Sequence, residues 1–574
     1  MSPRLLAVVA VAAQGLHQIF LLLPLAVMFG IAAALYGNPI YAALCGAGFV
    51  LLAWLLQPAT RDNFEPVSRE HAPQLYADID RLADAMLAPR LHAIALNDEF
   101  NAGALELNRG ISLRPTRRVL LLGRPLLQSL DREAVLAIVA HELGHFSRRH
   151  GRLGHWLYRA RQAWESWQIH VSAGEMSVWE QAAGWFASTF VPWFRRVSLA
   201  HSRRCEFEAD AAAAQSCGTP AIARALTLMD RLGRGMELSD GPTQRRLQRR
   251  LAEPPADLLG QRIAGWRAVP RSDLLAAEEA QATHPPTAER LVALGVIPQD
   301  WAWPEQPAYT GWPERVDAPA GRRVWAQWAM WHAMFQGIDQ ASESLRKAGV
   351  AQTLQLAALL DEHGEVLRLS EGLAGDAASD LLRARACFAT ARLAEARDLW
   401  RARAATSQPR RGERDVACRA LAEHGLTLGL PQDERSQLER RLASIRQRRS
   451  EALDKLEQAV ESGQVQAGGE WPEALRAALA LGLRRHPALR EAWLGAAEID
   501  LAGGWCYRCM LLWIRIDPVI MDELGQRQHQ VADTCVQLLR QLASPGVLCR
   551  TRASYTTEEL PPGLSRVSAR LRLL

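Results

Sequence analysis

From Leu5 to Leu56 the chain contains no Asp, Glu, Lys or Arg. Two apolar blocks lie in this run, Ile19–Leu35 and Ile40–Leu56, separated by the turn signal Tyr36-Gly37-Asn38-Pro39. A bilayer-spanning helix needs roughly 17–25 apolar residues. Each block reaches the lower limit, and the first can lengthen backwards through Leu16, His17 and Gln18. The pattern predicts a transmembrane hairpin over residues 1–60. A cleaved signal peptide with Leu5–Ala13 as its apolar core is the alternative, but it leaves the second block unexplained. Arg4 precedes the hairpin, Arg61 and Arg69 follow it, and the turn is uncharged. The positive-inside rule then puts both ends in the cytoplasm, which in a bacterium means an inner-membrane protein with two spans.

The remaining chain is too long for one hydrophobic core. With 574 residues, two to four domains are expected. The 67 basic and 62 acidic residues nearly balance, so nothing points to nucleic acid. The 9 cysteines are scattered and do not read as a disulfide framework. One close pair, Cys506 and Cys509 in "WCYRCM", is a lone C-x-x-C. It reads as two half-buried thiols on a helix rather than as a zinc or redox site.

Residues 61–298 read as an α+β unit with a small sheet. Tyr76–Met86 is an amphipathic helix, and "LHAIALNDEFNAGALEL" a strand, a turn and a second strand. Arg117–Gly123 is a short buried strand, and Asp131 caps a helix running to about Arg149. The apolar patch Gly184–Phe194, with Trp179, Trp185 and Trp193, is too short to span a bilayer. It suits a membrane interface or a buried helix equally well. Residues 299–323 are rich in Pro and Trp and read as a linker pressed against a surface. Residues 324–574 read as helical throughout. Leu381–Arg403 and His486–Pro518 both look like degenerate tetratricopeptide-like helix pairs, with an irregular bundle as the alternative. The expected class is therefore mostly α: an α+β domain with a small sheet, a membrane hairpin before it and a helical repeat-like domain after it.

The chemistry is concentrated in "VAHELGHF", residues 139–146. His141 and His145 are four apart, on one face of a helix, where two imidazoles can reach one metal ion. Glu142 stands beside the first ligand, placed to approach a water molecule rather than the metal. With 15 histidines in the chain, coincidence is expected on the order of a few hundredths of a time. A catalytic zinc needs a third protein ligand. "HSRRCEFEADAAAAQSCG", residues 201–218, supplies Glu206 and Asp210 on one helical face. Glu206 can bind the metal and Asp210 can hydrogen-bond a zinc histidine, while Glu208 points elsewhere. The alanines after Asp210 let this helix pack close to the first. His150 and His155 read as surface residues, and His17 as interfacial.

"AHELGHF", then "CEFEADAAAA", then "HPPTAERL" resembles the membrane gluzincin peptidases, which include the HtpX heat-shock protease and the CaaX prenyl proteases. The resemblance covers roughly Asn63 to Gly295 and implies a zincin-like α+β peptidase domain there. It implies one zinc ion held by His141, His145 and Glu206, with Glu142 as general base and acid and Asp210 behind the ligands. It makes His284 a candidate for contacting substrate or oxyanion. It also implies that Asn101, Ala102 and Gly103 line the cleft and pair with an extended protein or peptide substrate. Gly103 and Ala104 stand where HtpX-like members carry a bulky aromatic, which leaves the groove's shape open. The function so read is a membrane-anchored zinc endopeptidase acting on membrane or misfolded proteins. The alternative is a membrane-anchored scaffold or chaperone-like adaptor, with a protein partner on the C-terminal helices and proteolysis secondary. A metal-binding pseudoenzyme is the third reading, and the presence of Glu142 speaks against it.

Overall fold

Seven residues organise the N-terminal part of the chain: strand β4, Arg117–Gly123, whose Val119, Leu120 and Leu122 are fully buried. A run of branched apolar residues of this length suits a strand covered on both faces. The computed structural model describes residues 65–107, 117–147, 178–269, 285–297, 299–312, 322–373, 375–390, 392–406, 410–425, 427–464, 466–467, 471–523 and 528–559, with 5, 8, 9, 12, 13 and 574. The two apolar blocks of the expected membrane hairpin lie outside the described residues, as does His284. Among the described residues, no helix is long and apolar enough to cross a membrane. The chain divides into two units, residues 1–233 with 279–317, and residues 234–278 with 318–574.

In the first unit, β4 is flanked by β2 (Ala93–Asn97) in parallel and by β3 (Ala102–Leu107) in antiparallel pairing. Strand β1 (Glu65–Val67) completes the order β1-β2-β4-β3. The strands expected on either side of the Asn97–Asn101 turn are present, but β4 separates them, so β3 is an edge strand. Helix α1 (Pro73–Ala85) is tied to the sheet through Tyr76, whose hydroxyl donates to the Val67 carbonyl and accepts from Ile94 N–H, both at 2.8 Å. A short α2 (Arg124–Ser129) leads into α3 (Arg132–Ser147). Asp131 caps α3 as expected, its Oδ1 accepting from Ala134 N–H at 2.9 Å. Helix α3 is apolar around nearly its whole circumference, with Ala134, Val135, Ala137, Val139, Ala140 and Leu143 at most 1% exposed. Such a helix must sit inside the unit.

Helix α4 (Val178–Cys217) packs along α3. The point of closest approach is Gly144. A Cβ there would meet the Ala209 Cα at 3.1 Å, so the glycine sets the distance between the two helices. The patch Gly184–Phe194 lies within α4, with Phe190, Val191 and Phe194 buried and Trp193 exposed. Helix α5 (Thr219–Arg250) begins in the first unit and ends in the second, which continues with α6 (Leu258–Arg267). The short α7 (Thr287–Ala293) returns to the first unit. The Pro/Trp-rich stretch is held against this unit: Ala308 N–H donates to Leu130 O at 2.7 Å and Trp312 Nε1 to Asp78 at 2.8 Å.

The second unit continues with α8 (Arg322–Lys347), α9 (Val350–Leu359), α10 (His363–Ser370), α11 (Ala377–Ala389), α12 (Leu393–Ala405) and α13 (Gly412–Glu423). Leu381–Arg403 is a helix pair, as read from sequence: Leu381, Ala384 and Cys387 of α11 meet Ala396 and Trp400 of α12. The long α14 (Gln432–Ser462) and α15 (Glu473–Leu483) follow.

The expectation that 324–574 is helical throughout is overturned beyond α15. His486–Pro518 is a long antiparallel hairpin, β7 (Leu489–Leu501) and β8 (Trp505–Ile516). Ala502-Gly503-Gly504 turns the chain, with both glycines at positive φ, +76° and +75°. With β5 (Arg410–Arg411), β6 (Gln466–Ala467) and β9 (Leu548–Tyr555) it makes a five-stranded sheet. Between β8 and β9 come α16 (Pro518–Glu523) and α17 (Gln528–Leu542). Helix α14 covers one face, through Ala452, Leu456 and Val460, and α8, α15 and α17 cover the other. A strand buried on both faces loses polar alternation, which is why it read as helix. Cys506 and Cys509 are therefore on a strand, three apart, and point to opposite faces.

Candidate active site

Helix α3 carries His141, Glu142 and His145, and α4 carries Glu206 and Asp210. The contact at Gly144 and Ala209 brings the two sets together. His141 Nε2 lies 3.2 Å from His145 Nε2 and 3.4 Å from Glu206 Oε2. His145 Nε2 lies 3.6 Å from Glu206 Oε1. The three side chains are 7%, 31% and 9% exposed.

The Nδ1 nitrogen of His141 is 2.9 Å from Asp210 Oδ1. A carboxylate there fixes the proton on Nδ1 and leaves the Nε2 lone pair facing the second imidazole. Two imidazole nitrogens and a carboxylate converging in a nearly dry pocket are mutually unfavourable unless a cation joins them. Four tetrahedral ligands at 2.0–2.1 Å from zinc lie about 3.3 Å from one another. The two imidazole nitrogens, 3.2 Å apart, match that value, and the Glu206 carboxylate spans both, with one oxygen 3.4 Å from His141 and the other 3.6 Å from His145. Within the described residues this is the one His/Cys/Asp/Glu group of metal-holding geometry. The donor set is that of a zinc site with three protein ligands.

Behind the ligands stands Arg290, at the third residue of α7 after Thr287 and 8% exposed. Its Nη2 and Nε donate to the two oxygens of Asp210 at 2.6 and 2.7 Å. Sequence reasoning missed this residue. The signal was present in "HPPTAERL", but a motif three helices away does not state which of its side chains turns inward.

The electrostatics follow from this arrangement. Burial opposes charge on His141, but the bonds to Asp210 and Glu206 outweigh it and push its pKa up to about 9. Burial likewise opposes ionisation of Asp210, yet the Arg290 guanidinium and His141 hold its carboxyl below the usual range. Arg290 in turn is buried against its charge and held cationic by Asp210. Glu142 is half-buried on α3, and its charge is felt by both His141 and Arg290. Glu208 forms an ion pair with Arg204 at 2.9 Å, away from the ligand set.

The edge strand β3 packs against α3. Ala102 and Gly103 are in β3, paired on one side by β4, and Asn101 immediately precedes the strand. A Cβ at Gly103 would meet nothing within 4 Å.

Residues 70–296 match the family described as Peptidase family M48. The chain is 27% identical over 251 residues to a Protease HtpX homolog of Gemmatimonas aurantiaca, covering 40% of this chain and 78% of that one. It is 30% identical over 218 residues to a Protease HtpX homolog of Acidiphilium cryptum, covering 36% and 73% respectively. The chain belongs to peptidase family M48. A third relative, the Protease HtpX homolog of Methanothermobacter thermautotrophicus, is 29% identical over 116 residues, and the chain spans 42% of its length. The M48 match and these relatives make residues 70–296 a metalloprotease domain, and the His141, His145 and Glu206 cluster is its candidate metal site.

Proposed function

We propose that this M48 chain is a zinc-dependent endopeptidase with Glu142 as its general base, acting on membrane or misfolded proteins. The observation that carries the reading is the convergence of His141, His145 and Glu206 at zinc-ligand spacing, with Asp210 and Arg290 locked behind them. Zinc held there would supply Lewis-acid polarisation of a scissile carbonyl and acidify a water molecule. Glu142, one residue from the first ligand, takes a proton from the attacking water and returns it to the leaving amine. Asp210 keeps the Nδ1 proton of His141 in place, so that Nε2 stays a ligand. Arg290 keeps Asp210 ionised and correctly turned.

The edge of β3 at Ala102 and Gly103, entered from Asn101, offers backbone donors and acceptors to an extended chain. Recognition by backbone pairing gives loose sequence preference, which suits unfolded substrates. His284 is proposed to contact the substrate or the developing oxyanion. Residues 1–60 are proposed to anchor the chain in a membrane by two spans. Deleting them should release the protein from membranes washed with alkaline carbonate; retention would sink the anchor.

The test of the mechanism is zinc content and casein cleavage of the detergent-purified chain, wild type beside Glu142→Gln. One zinc in both with cleavage in wild type alone is expected, since loss of a general base costs roughly 10²–10⁴-fold. Cleavage by Glu142→Gln at the wild-type rate would refute the role of Glu142. Absence of zinc from both would refute the metal site.

A further inference from the structure

The second unit contains a cleft of about 600 Å³, walled by the C-terminal half of α5, by α6, and by one or two residues from each of α8 to α12. That size falls within the usual range of ligand cavities, about 300–1,000 Å³. Its floor is apolar: Phe335 and Leu359 are buried, and Phe388 and Leu393 extend it. Its rim is basic, because α5 presents Arg245, Arg246, Arg249 and Arg250 to the opening.

Two of these cations are already matched. Arg245 makes a bidentate bridge to Asp361 at 2.8 and 2.9 Å, and Arg249 pairs with Asp339 at 2.9 Å. Arg246 and Arg250 are exposed, and among the described residues neither has a carboxylate within 4 Å. They are four apart on one helix, so their Cα atoms are separated by about 6 Å of rise. Same-face side chains of an extended peptide, two residues apart, are separated by about 6.6–6.8 Å. Leu238 and Pro242, one turn apart in α5, also line the cleft.

We propose that this cleft binds an acidic, extended polypeptide segment, with alternate carboxylates on Arg246 and Arg250 and an apolar side chain on the Phe335 floor. Charge repeated along the ligand matches two unmatched guanidinia one helical turn apart. Two separate carboxylates give each guanidinium a partner of its own, whereas a single lipid phosphate would have to be shared between them.

The test is fluorescence anisotropy with the full-length Glu142→Gln chain in detergent, so that the probe survives. The probe is a fluorescein-labelled Gly-Leu-Asp-Leu-Asp-Leu-Glu-Leu-Gly peptide, beside its Asn/Gln counterpart. Saturable binding of the acidic peptide is expected, weakened by salt, with little binding of the neutral one. Arg246→Glu with Arg250→Glu should lower affinity by about tenfold or more, and the milder Arg246→Gln with Arg250→Gln should lower it less. Arg440→Glu, an exposed site on α14, should leave it unchanged. In a Glu142 background the double variant should still hydrolyse a short neutral peptide, which shows that it folds. Equal binding of both peptides, no binding, or indifference to the double variant would overturn the proposal. Arginine-dependent displacement of the probe by phosphatidylserine vesicles would overturn it in favour of a lipid site. Binding is read without cleavage, so either result leaves the peptidase reading intact.

Discussion

Replacing Asp210 by Asn tests whether the residues behind the ligands tune the metal site. Three donors converge on this carboxylate: the Nδ1–H of His141 at 2.9 Å and the Nη2–H of Arg290 at 2.6 Å, both on Oδ1, and the Nε–H of Arg290 at 2.7 Å on Oδ2. An amide has one oxygen and one NH₂ group. The best placement keeps the oxygen at the shared position and turns NH₂ towards the Arg290 Nε–H, a donor facing a donor at a site 1% exposed. The other placement turns NH₂ towards His141 and disorients the ligand. Either way a buried negative charge is lost next to a divalent cation. Both effects weaken binding, and loss of such a supporting group costs about 10–100-fold in metal affinity. That corresponds to about 1.4–2.8 kcal/mol. The assay is zinc competition against a chromophoric chelator, followed by casein cleavage with zinc in excess. Zinc affinity of Asp210→Asn within about twofold of wild type would refute the argument that Asp210 and Arg290 hold His141 in its ligand state.

Further outcomes follow from the same geometry. His141 has its pKa raised from 6.5 to about 9, so its proton competes with zinc at neutral pH. Apparent zinc affinity should rise by about tenfold per pH unit up to about 9, and a flat titration between pH 6.5 and 8.5 would contradict it. In the metal-free chain the sign is reversed: the stabilisation from charged His141 is complete below about 6.5 and lost as pH rises through about 9. Gly144→Val places a branched side chain where a single Cβ already meets Ala209 at 3.1 Å. It should cost about 1–3 kcal/mol by overpacking and release zinc, read by thermal melting and metal content. Cys506→Ser with Cys509→Ser should leave zinc content at its wild-type value, because the two thiols face opposite sides of β8; loss of metal would show that they take part in a site.

The candidate metal cluster was legible before any fold was known, because it obeys local geometry. The i, i+4 spacing of His141 and His145, and of Glu206 and Asp210, fixes a shared helical face wherever the helix goes. The cap at Asp131, the buried strand Arg117–Gly123 and the helix pair in Leu381–Arg403 were legible for the same reason: each depends on neighbours within a few residues. The His486–Pro518 hairpin was not, since α14 on one face and α8, α15 and α17 on the other erased the alternation that marks a strand.

What the sequence determined by itself was the donor inventory of the candidate site: two imidazoles, a glutamate beside them and two carboxylates one turn apart. Only the tertiary structure decided that Gly144 lets α3 and α4 approach closely enough to join those pairs, and that Arg290 closes on Asp210 from a third helix. Helical periodicity is a short-range property written into residue spacing. The meeting of residues 141, 206 and 290 is a long-range packing outcome, set by which faces bury together.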